Sequence, residues 1–364
     1  FPFLKTSRSR LVVDLYDPLV LENLHYYQQE PLPAQETLHR RTIELTNNLA
    51  GIGDFFICGN ERQRDFWLGL LTANRRINPL TFDQDPSLRR LIDQVGIGLP
   101  DREPETRPLL RGLHPLIPAS ARIILWGGGI WNWLDPLTLI EAWPRVSACF
   151  PEARLVFLGT RHPNPLVPVH EMARRAERRA REIGEKDKTI LFFEWLSYRD
   201  RESLLAEADI GVTLHPLHVE TRYSLRTRVL DYIWARLPIL ITAGDVTSEW
   251  VREYRLGETV APFQAGEVAA GLLRLLDKPK DHWAPNFTPL QARLSWPTVV
   301  EPLRRYCLEG SYAVDRLERS KNPDPLPARE GGALSRAAMI WRQEGFRALV
   351  YRGWRYLQAR LART

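Results

Sequence analysis

A run of cationic and hydroxyl side chains lies between Glu220 and Asp231, and its most direct chemistry is phosphate binding. The run comprises Arg222, Ser224, Arg226, Thr227 and Arg228. It spans a polar loop and the first turn of a predicted helix, whose free N–H groups and positive dipole end suit an anion. Cations at a helix N-terminus oppose the dipole unless an anion binds there. A solvated, charged turn is the alternative interpretation.

A glycine-rich loop formed by Gly127, Gly128 and Gly129 follows a predicted strand and would let a phosphate approach the backbone closely. The loop is not the GxGxxG dinucleotide fingerprint, and no acidic residue follows at about the required 20-residue spacing. An ordinary turn is therefore the alternative. Trp131 and Trp133 come next, and their spacing fits either stacking on a base or sugar or packing in the core.

Further candidate ligand-binding residues follow other predicted strands. Asp231 is placed to accept hydrogen bonds from a ribose diol, or to form an ion pair with Arg228 three residues earlier. The backbone at Glu194 and Trp195 is a candidate to contact a base edge. His215 is a candidate for a sugar or phosphate contact, although a single His before a proline is more often incidental.

These candidates converge if the second part of the chain forms one sheet. From Arg122 onwards, predicted strands and helices alternate strictly, which indicates a parallel sheet with helices on both faces. Ligands bind such sheets beyond the carboxyl ends of the strands, where the candidates lie. The predicted strands are 122–126, 154–158, 189–193, 210–214, 238–242 and 258–261. The predicted helices are 136–149, 169–184, 199–207, 224–235 (with Ser224 as N-cap), 247–254 and 266–276.

The first part of the chain predicts a smaller α/β unit. It has strands near 11–18 and 54–59 and helices at about 19–29 and 34–48, too few elements for a complete doubly wound domain. This predicts an incomplete amino-terminal domain. The Pro-dense segment 99–119 predicts a domain boundary. The predicted domains are 1–112, 113–300 and 301–364.

Composition limits the classes of partner. The 364 residues carry a net charge of +6 and a pI near 9.3, yet no zinc-finger spacing or other nucleic-acid motif is present, so nucleic acid is not predicted as a partner. The three cysteines are scattered without CxxC spacing, which favours a reducing compartment and argues against a metal site. No apolar run of transmembrane length occurs, so we expect a cytoplasmic protein.

The last segment predicts a basic amphipathic helix. After a Pro- and Gly-rich linker at 320–332, residues 334–361 combine arginines with Trp and aliphatic side chains at helical spacing. Such a helix can lie in a membrane interface, which would make the protein peripheral at the inner face of the cell membrane. Docking back onto the protein is the alternative.

The order and spacing of several motifs over about residues 11–310 resemble the retaining, group 1 glycosyltransferases of the GT-B fold. The resemblance rests on Trp126–Pro136, Phe193–Leu196, Ala208–Val212, Glu220–Tyr232 with Leu237 and Pro238, Asp14–Pro18, and Phe56–Cys58 followed by Glu61–Arg64. It implies two Rossmann-like domains with doubly wound parallel sheets, the first incomplete, followed by the C-terminal amphipathic helix. It also implies transfer of a sugar, with retention, from a nucleotide-diphospho sugar to a hydroxyl of a glycan or lipid-linked acceptor, without metal or cofactor.

The resemblance assigns roles to individual residues. Glu220 would orient the donor sugar and Asp231 would bind the ribose, although they are eleven positions apart instead of the family's usual eight. The basic pair that the family often carries after the first strand of this domain is absent, so Arg226 and Arg228 would stabilise the diphosphate instead. The remaining predicted nucleotide-sugar-binding residues are Gly127, Gly128, Gly129, Trp133, Glu194, Trp195, His215, Ser224 and Thr227.

Two other functions remain open from the sequence. A non-catalytic sugar-nucleotide-binding or scaffold protein of the same fold would explain the missing basic pair and the incomplete first domain. A Rossmann-type dinucleotide oxidoreductase is the second rival, and the lack of GxGxxG and of its partner acid counts against it.

Overall fold

A computed structural model describes residues 3–4, 8–161, 164, 169–316 and 350 of the chain. The chain divides into two compact units, Phe1–Ala313 and Val314–Thr364. The first unit contains every strand found in the described part. Most of the second unit, including the predicted tail helix, lies outside the described residues. Among the described helices, none is long and apolar enough to cross a bilayer.

The first sheet has three parallel strands in the order β1–β2–β3. Phe55–Cys58 is buried throughout, so the central strand of this sheet supplies much of its core. The sequence had not assigned a strand near Ile92, and this strand is only three residues long. The elements are β1 (Val12–Asp14), α1 (Leu19–Tyr26), α2 (Leu32–Ile52), β2 (Phe55–Cys58), α3 (Glu61–Ala73), α4 (Pro79–Gln84) and β3 (Ile92–Gln94).

The second sheet has six parallel strands in the order β6–β5–β4–β7–β8–β9, confirming the predicted parallel sheet. Its elements are β4 (Arg122–Trp126), α5 (Pro136–Cys149), β5 (Ala153–Phe157), α6 (Glu171–Glu182), β6 (Ile190–Phe192), α7 (Tyr198–Glu207), β7 (Ile210–Thr213), α8 (Thr227–Trp234), β8 (Ile239–Thr242), α9 (Val246–Glu253), β9 (Gly257–Val260) and α10 (Ala265–Leu276). Buried apolar clusters cover both faces. Strands β5 and β6 are added on one side of β4, whereas β7 to β9 are added on the other side. Ligands of doubly wound sheets bind at such a switch point between neighbouring strands, here β4 and β7.

The chain passes twice between the two sheets. The Pro-dense segment 99–119 contains turns and one isolated bridge, from Leu99 to Ser295. The return path runs through α11 (Ala284–Arg293), α12 (Trp296–Val299) and α13 (Glu301–Glu309). The ring of Tyr306 on α13 stacks on Phe55 of β2 with centroids 4.6 Å apart, which fixes α13 to the first sheet.

Candidate functional site

The loop between β7 and α8 does not fold as the sequence predicted. Helix α8 begins at Thr227, so the predicted start at residue 224 with Ser224 as N-cap is wrong. The Ser224 hydroxyl instead donates hydrogen bonds to the Glu220 carboxylate and, over 3.1 Å, to the Glu220 backbone oxygen. Arg226 occupies the N-cap position and makes no side-chain cap hydrogen bond among the described residues. Glu220, Ser224 and Arg226 are thereby gathered into one buried turn.

Arg226 is held between two carboxylates. Its side chain is nine-tenths buried, its Nη2 lies 3.3 Å from Glu220 Oε2, and its Nε lies 3.5 Å from Asp245 Oδ2. Asp245 is fully buried at the N-cap of α9 and had not been recognised from the sequence. The Asp-x-x-Ser spacing signalled the cap, but nothing in the local sequence pointed to Arg226. The guanidinium is therefore fixed before any ligand binds.

Arg228 is less completely neutralised than Arg226. Its Nη2 donates a 2.8 Å hydrogen bond to the Gly129 carbonyl, and its Cζ lies 5.0 Å from the centre of the Trp126 ring. Its Nη1 has no hydrogen-bond partner in the described structure. Loss of solvent lowers the pKa of Arg228 to about 10, so the side chain is still cationic at neutral pH. A poorly solvated cation with an unused donor is suited to an anionic ligand.

The glycine loop is packed tightly against Tyr232 of α8. The Gly127 N–H donates to the Tyr232 hydroxyl at 2.8 Å, and that hydroxyl lies 3.1 Å from the Leu125 carbonyl and 3.0 Å from the Val212 carbonyl. A Cβ at Gly127 would lie 2.9 Å from the Tyr232 ring, and one at Gly211 would lie 2.5 Å from it. The Gly127 N–H is thus already occupied, and the Gly128 N–H likewise donates to the Trp126 carbonyl at 3.0 Å.

A cavity of about 400 Å³ lies in the cleft between the two sheets. It brings together the predicted residues Trp133, Glu220, Ser224, Arg226, Thr227 and Arg228 with four residues of the first sheet's side that were not predicted as site residues. The full lining is Tyr16, Asp17, Glu22, Tyr26, Trp131, Trp133, Leu134, Glu220, Ser224, Leu225, Arg226, Thr227 and Arg228. The cavity is therefore shared by both halves of the first unit.

The wall of this cavity that comes from the first sheet's side carries two acidic side chains, Asp17 and Glu22. Loss of solvent raises the pKa of Asp17 to about 6 and that of Glu22 to about 7, and the charge of Glu220 contributes to both increases. Among the described residues, neither carboxylate forms an ion pair or accepts a hydrogen bond. Asp17 belongs to the Asp14–Pro18 motif of the resemblance, but its position opposite Glu220 could not be predicted from the sequence.

One pair of aromatic rings lines the cavity, and a second pair joins α1 to the loop after β7. Trp131 and Trp133 stack with centroids 5.6 Å apart and planes 5° apart, and both line the cavity while being partly exposed. The rings of His25 on α1 and His218 after β7 lie 3.9 Å apart. Both tryptophans also pack against the hydrophobic core of the second sheet, so ligand stacking and core packing both remain compatible with their position.

A second cavity of about 190 Å³ lies on the other side of the glycine loop. Trp195 lines it and is 46% exposed. Below it, Arg201 pairs with Asp231, so the alternative pairing of Asp231 with Arg228 is not the one found. Burial raises the pKa of Asp231 to about 6, although the charge of Arg201 opposes the increase. The full lining is Gly127, Gly128, Leu158, Gly159, Trp195, Leu196, Tyr198 and Arg201.

Four predicted site residues line neither cavity: Gly129, Glu194, His215 and Asp231. The Glu194 side chain is exposed, and its backbone oxygen accepts a long 3.5 Å hydrogen bond from the Gly159 N–H. His215 is fully buried at the end of β7, and burial lowers its pKa well below the usual range, so it is neutral at pH 7. Its Nε2 lies 3.8 Å from Asp245 Oδ2. The side chains of Glu194 and His215 therefore contribute to the wall of neither cavity.

The described residues contain no group of three or more His, Cys, Asp or Glu side chains arranged to hold a metal ion. The cationic groups at the cavity are instead guanidinium groups, contributed by Arg226 and Arg228.

Comparison with known proteins places this geometry in a family context. Residues 121–278 match the family model described as glycosyl transferases group 1. No curated protein sequence gives a significant match. WaaG, described as a glycosyltransferase involved in lipopolysaccharide biosynthesis, is 17% identical with a TM-score of 0.54, over 83% of this chain and 77% of that one.

Two further solved structures show a similar arrangement. Sucrose-phosphate synthase from Thermosynechococcus elongatus is 17% identical with a TM-score of 0.54, over 82% of this chain and 68% of that one. HepE from Anabaena, solved in complex with UDP-glucose, is 14% identical with a TM-score of 0.57, over 83% of this chain and 73% of that one. At these identities the similarity establishes a common fold.

Proposed function

We propose that the protein transfers a hexose from a nucleotide-diphospho sugar to an acceptor hydroxyl, because residues 121–278 match the group 1 glycosyltransferase family model and the chain has the GT-B fold. The observation that carries this proposal is the cleft cavity. It places Arg226 and Arg228 opposite Asp17 and Glu22, at the switch point of the second sheet.

The two cavities provide separate places for the parts of the donor. The smaller cavity, with Trp195 and Asp231 beside it, is assigned to the base and ribose. The diphosphate lies on the glycine loop near Arg228, whose unused Nη1 neutralises it. The sugar then extends into the larger cavity towards Glu220, whose carboxylate is oriented by Ser224 and Arg226.

In the reaction, the bond from the sugar C1 to the diphosphate oxygen breaks, and a bond from C1 to the acceptor oxygen forms. The acceptor proton leaves with the nucleoside diphosphate. Arg226 and Arg228 stabilise the charge that develops on the departing diphosphate, and because both are positioned before the reaction they require little reorganisation. We assign retention of the anomeric configuration on the resemblance to the retaining type, and no metal ion takes part.

The acceptor side is the wall formed by Asp17, Glu22 and Tyr26. Carboxylates accept hydrogen bonds from hydroxyl groups and aromatic rings stack on sugars, so this wall suits a glycan, free or lipid-linked. A role in cell-surface polysaccharide or glycolipid synthesis follows from such an acceptor. Membrane association through residues 333–364 belongs to the same proposal, and deleting them should abolish binding to anionic lipid vesicles.

The first experiment is calorimetric titration of the protein with UDP, GDP and dTDP in the presence of EDTA. One nucleotide should bind and thereby identify the base. The corresponding sugar nucleotides are then tested for transfer to a panel of glycans, with the product anomer read by NMR. Failure of all three nucleotides to bind at millimolar concentration would contradict the proposal.

A second candidate function is sugar-nucleotide binding without catalysis. It is favoured by the engagement of both predicted ligand acids by arginines, Glu220 by Arg226 and Asp231 by Arg201. Nucleotide binding without transfer or donor hydrolysis would support this alternative.

A further inference from the structure

Asp245 caps helix α9 with only one of its two oxygens. Its Oδ1 accepts hydrogen bonds from the Ser248 N–H at 2.6 Å and the Thr247 hydroxyl at 3.0 Å. Its Oδ2 accepts no hydrogen bond in the described structure and faces Arg226 Nε and His215 Nε2, at 3.5 and 3.8 Å. The second oxygen is therefore not needed for the cap.

A charged residue at this buried N-cap position lowers stability relative to an uncharged cap. Asn caps a helix about as well as Asp, and a buried carboxylate carries a desolvation cost that Asn does not. Asp245 has no exposed surface, and burial raises its pKa, whereas the charge of Arg226 opposes that increase. Arg226 is the cation that compensates for burying this carboxylate.

The two carboxylates hold different edges of the same guanidinium. Glu220, from the loop after β7, faces Nη2, while Asp245, from the loop after β8, faces Nε. A guanidinium contacted on two edges cannot rotate freely about its terminal bonds. Arg226 also lines the cleft cavity, so this restraint determines where its remaining N–H groups meet a ligand.

We propose that Asp245 is a positioning residue of the donor site, which acts through Arg226 to hold that guanidinium against the diphosphate. The inference rests on the function proposed above. Neutral His215 packs beside the same Asp245 oxygen. Because His215 is itself fully buried, water does not reach the Arg226–Asp245 pair from that side. Asp245 itself is fully buried and does not line the cavity.

The test compares two changes in the same cap. Asp245→Asn keeps the cap and removes the charge that holds Arg226. Ser248→Ala removes the Ser248 hydroxyl, which bonds to the Gly244 N–H and the Asp245 carbonyl, and leaves Asp245 Oδ2 in place. Affinity is measured by calorimetry with UDP, GDP and dTDP, and stability by thermal denaturation.

Asp245→Asn should weaken nucleotide affinity about tenfold, within the range of coupling between contacting residues. Ser248→Ala should lower the melting temperature but leave affinity within about twofold. In an Arg226→Gln background, adding Asp245→Asn should change affinity less than about twofold, because the residue through which it acts is gone.

Arg226→Lys provides a second readout if Asp245→Asn does not fold. Lysine keeps the charge but lacks the planar fork that contacts both carboxylates, so affinity should fall almost as far as in Arg226→Gln. Retention of wild-type affinity by Asp245→Asn or by Arg226→Lys would overturn this inference and leave the proposed function standing. An equal loss of affinity in Asp245→Asn and Ser248→Ala would also overturn it. If wild-type protein binds none of the three nucleotides, the proposed function itself fails, and the inference fails with it.

Discussion

Helices α1 and α8 both contribute to the cleft cavity and are both eight residues long, yet they are supported differently. Five residues of α8 are buried, whereas α1, described along its whole length, has no buried residue. The helix that follows the cationic turn is thus part of the core, and the helix that carries Glu22 lies on the surface. A rigid support suits groups that must meet a developing charge, and a loosely held one suits acceptors of varied shape.

The two helices also differ in charge. The residues at the start of α8 bring Arg226 and Arg228 to the cavity, while α1 and the turn before it bring Glu22 and Asp17. Among the described lining residues, both arginines come from the second sheet's side. Under the proposed function, the cationic side would hold the anionic donor and the acidic side the hydroxyl-bearing acceptor.

The largest expected effect tests the difference in burial. Ile233→Ala in α8 should lower the free energy of unfolding by about 2 to 5 kcal/mol, because Ile233 has no exposed surface. Leu24→Ala in α1 is the matched change, and it should alter stability by less than about 0.5 kcal/mol, because Leu24 is 49% exposed. Urea denaturation measures both. Similar losses in the two variants would show that α1 is as firmly packed as α8.

The next effect tests the cationic side. Arg228→Ala should weaken nucleotide binding by about 1.5 to 3 kcal/mol, the contribution of a lost hydrogen bond to a charged group, which is roughly 10- to 100-fold. Arg222→Ala is the control, because Arg222 is exposed and lies on the same loop without lining the cavity. The nucleotide affinities of both variants are measured by calorimetry with UDP, GDP and dTDP. Equal affinities of the two variants would remove Arg228 from the donor site.

The smallest effect tests the acidic side through pH. The pKa of Glu22 is raised from 4.5 to about 7, so its carboxyl group loses a proton as the pH rises through neutrality. The negative charge disfavours a diphosphate in the same cavity, and affinity for UDP-glucose should fall a few-fold between about pH 6 and 8, since a partly exposed charge contributes about 1 kcal/mol or less. UDP-glucose is the probe because its diphosphate does not titrate in this range.

Glu22→Gln should flatten this pH dependence and raise the apparent KM for the glycan acceptor. Glu36→Gln, an exposed change on α2, should leave both unchanged. The pH dependence of protein stability should have the same sign as the pH dependence of affinity. Between about pH 4.5 and 7 the native state holds more protons on Glu22 than the unfolded chain does, so this residue's contribution to stability falls as the pH rises. A pH slope that persists in Glu22→Gln would assign the titration to another group.

The second sheet could be predicted from the sequence because its strands are continuous apolar runs between helices. The predicted strand at 122–126 and helix at 136–149 agree with Arg122–Trp126 and Pro136–Cys149. Strand β3 was not assigned, because three residues that include Asp93 and Gln94 carry no apolar pattern. A strand can be recognised from local sequence when burial of both faces makes several consecutive residues apolar.

The candidate site was predictable only where it is local. The turn from Glu220 to Arg228 was identified by composition, and its cavity confirms that these residues lie together. The start of α8 was misplaced because Ser224 bonds to Glu220 instead of capping the helix. Asp245 and Glu22 depend on contacts between distant segments, and a single sequence carries no signal for such contacts.

The contact of Tyr232 with two glycines restricts how this protein can evolve. A side chain at either Gly127 or Gly211 would occupy the space of the Tyr232 ring, and loss of the ring would leave the Gly127 N–H without the partner it now has. No one of the three positions can change alone without cost. We expect them to vary together or not at all among descendants of this sequence, so that this part of the second sheet is inherited as one unit.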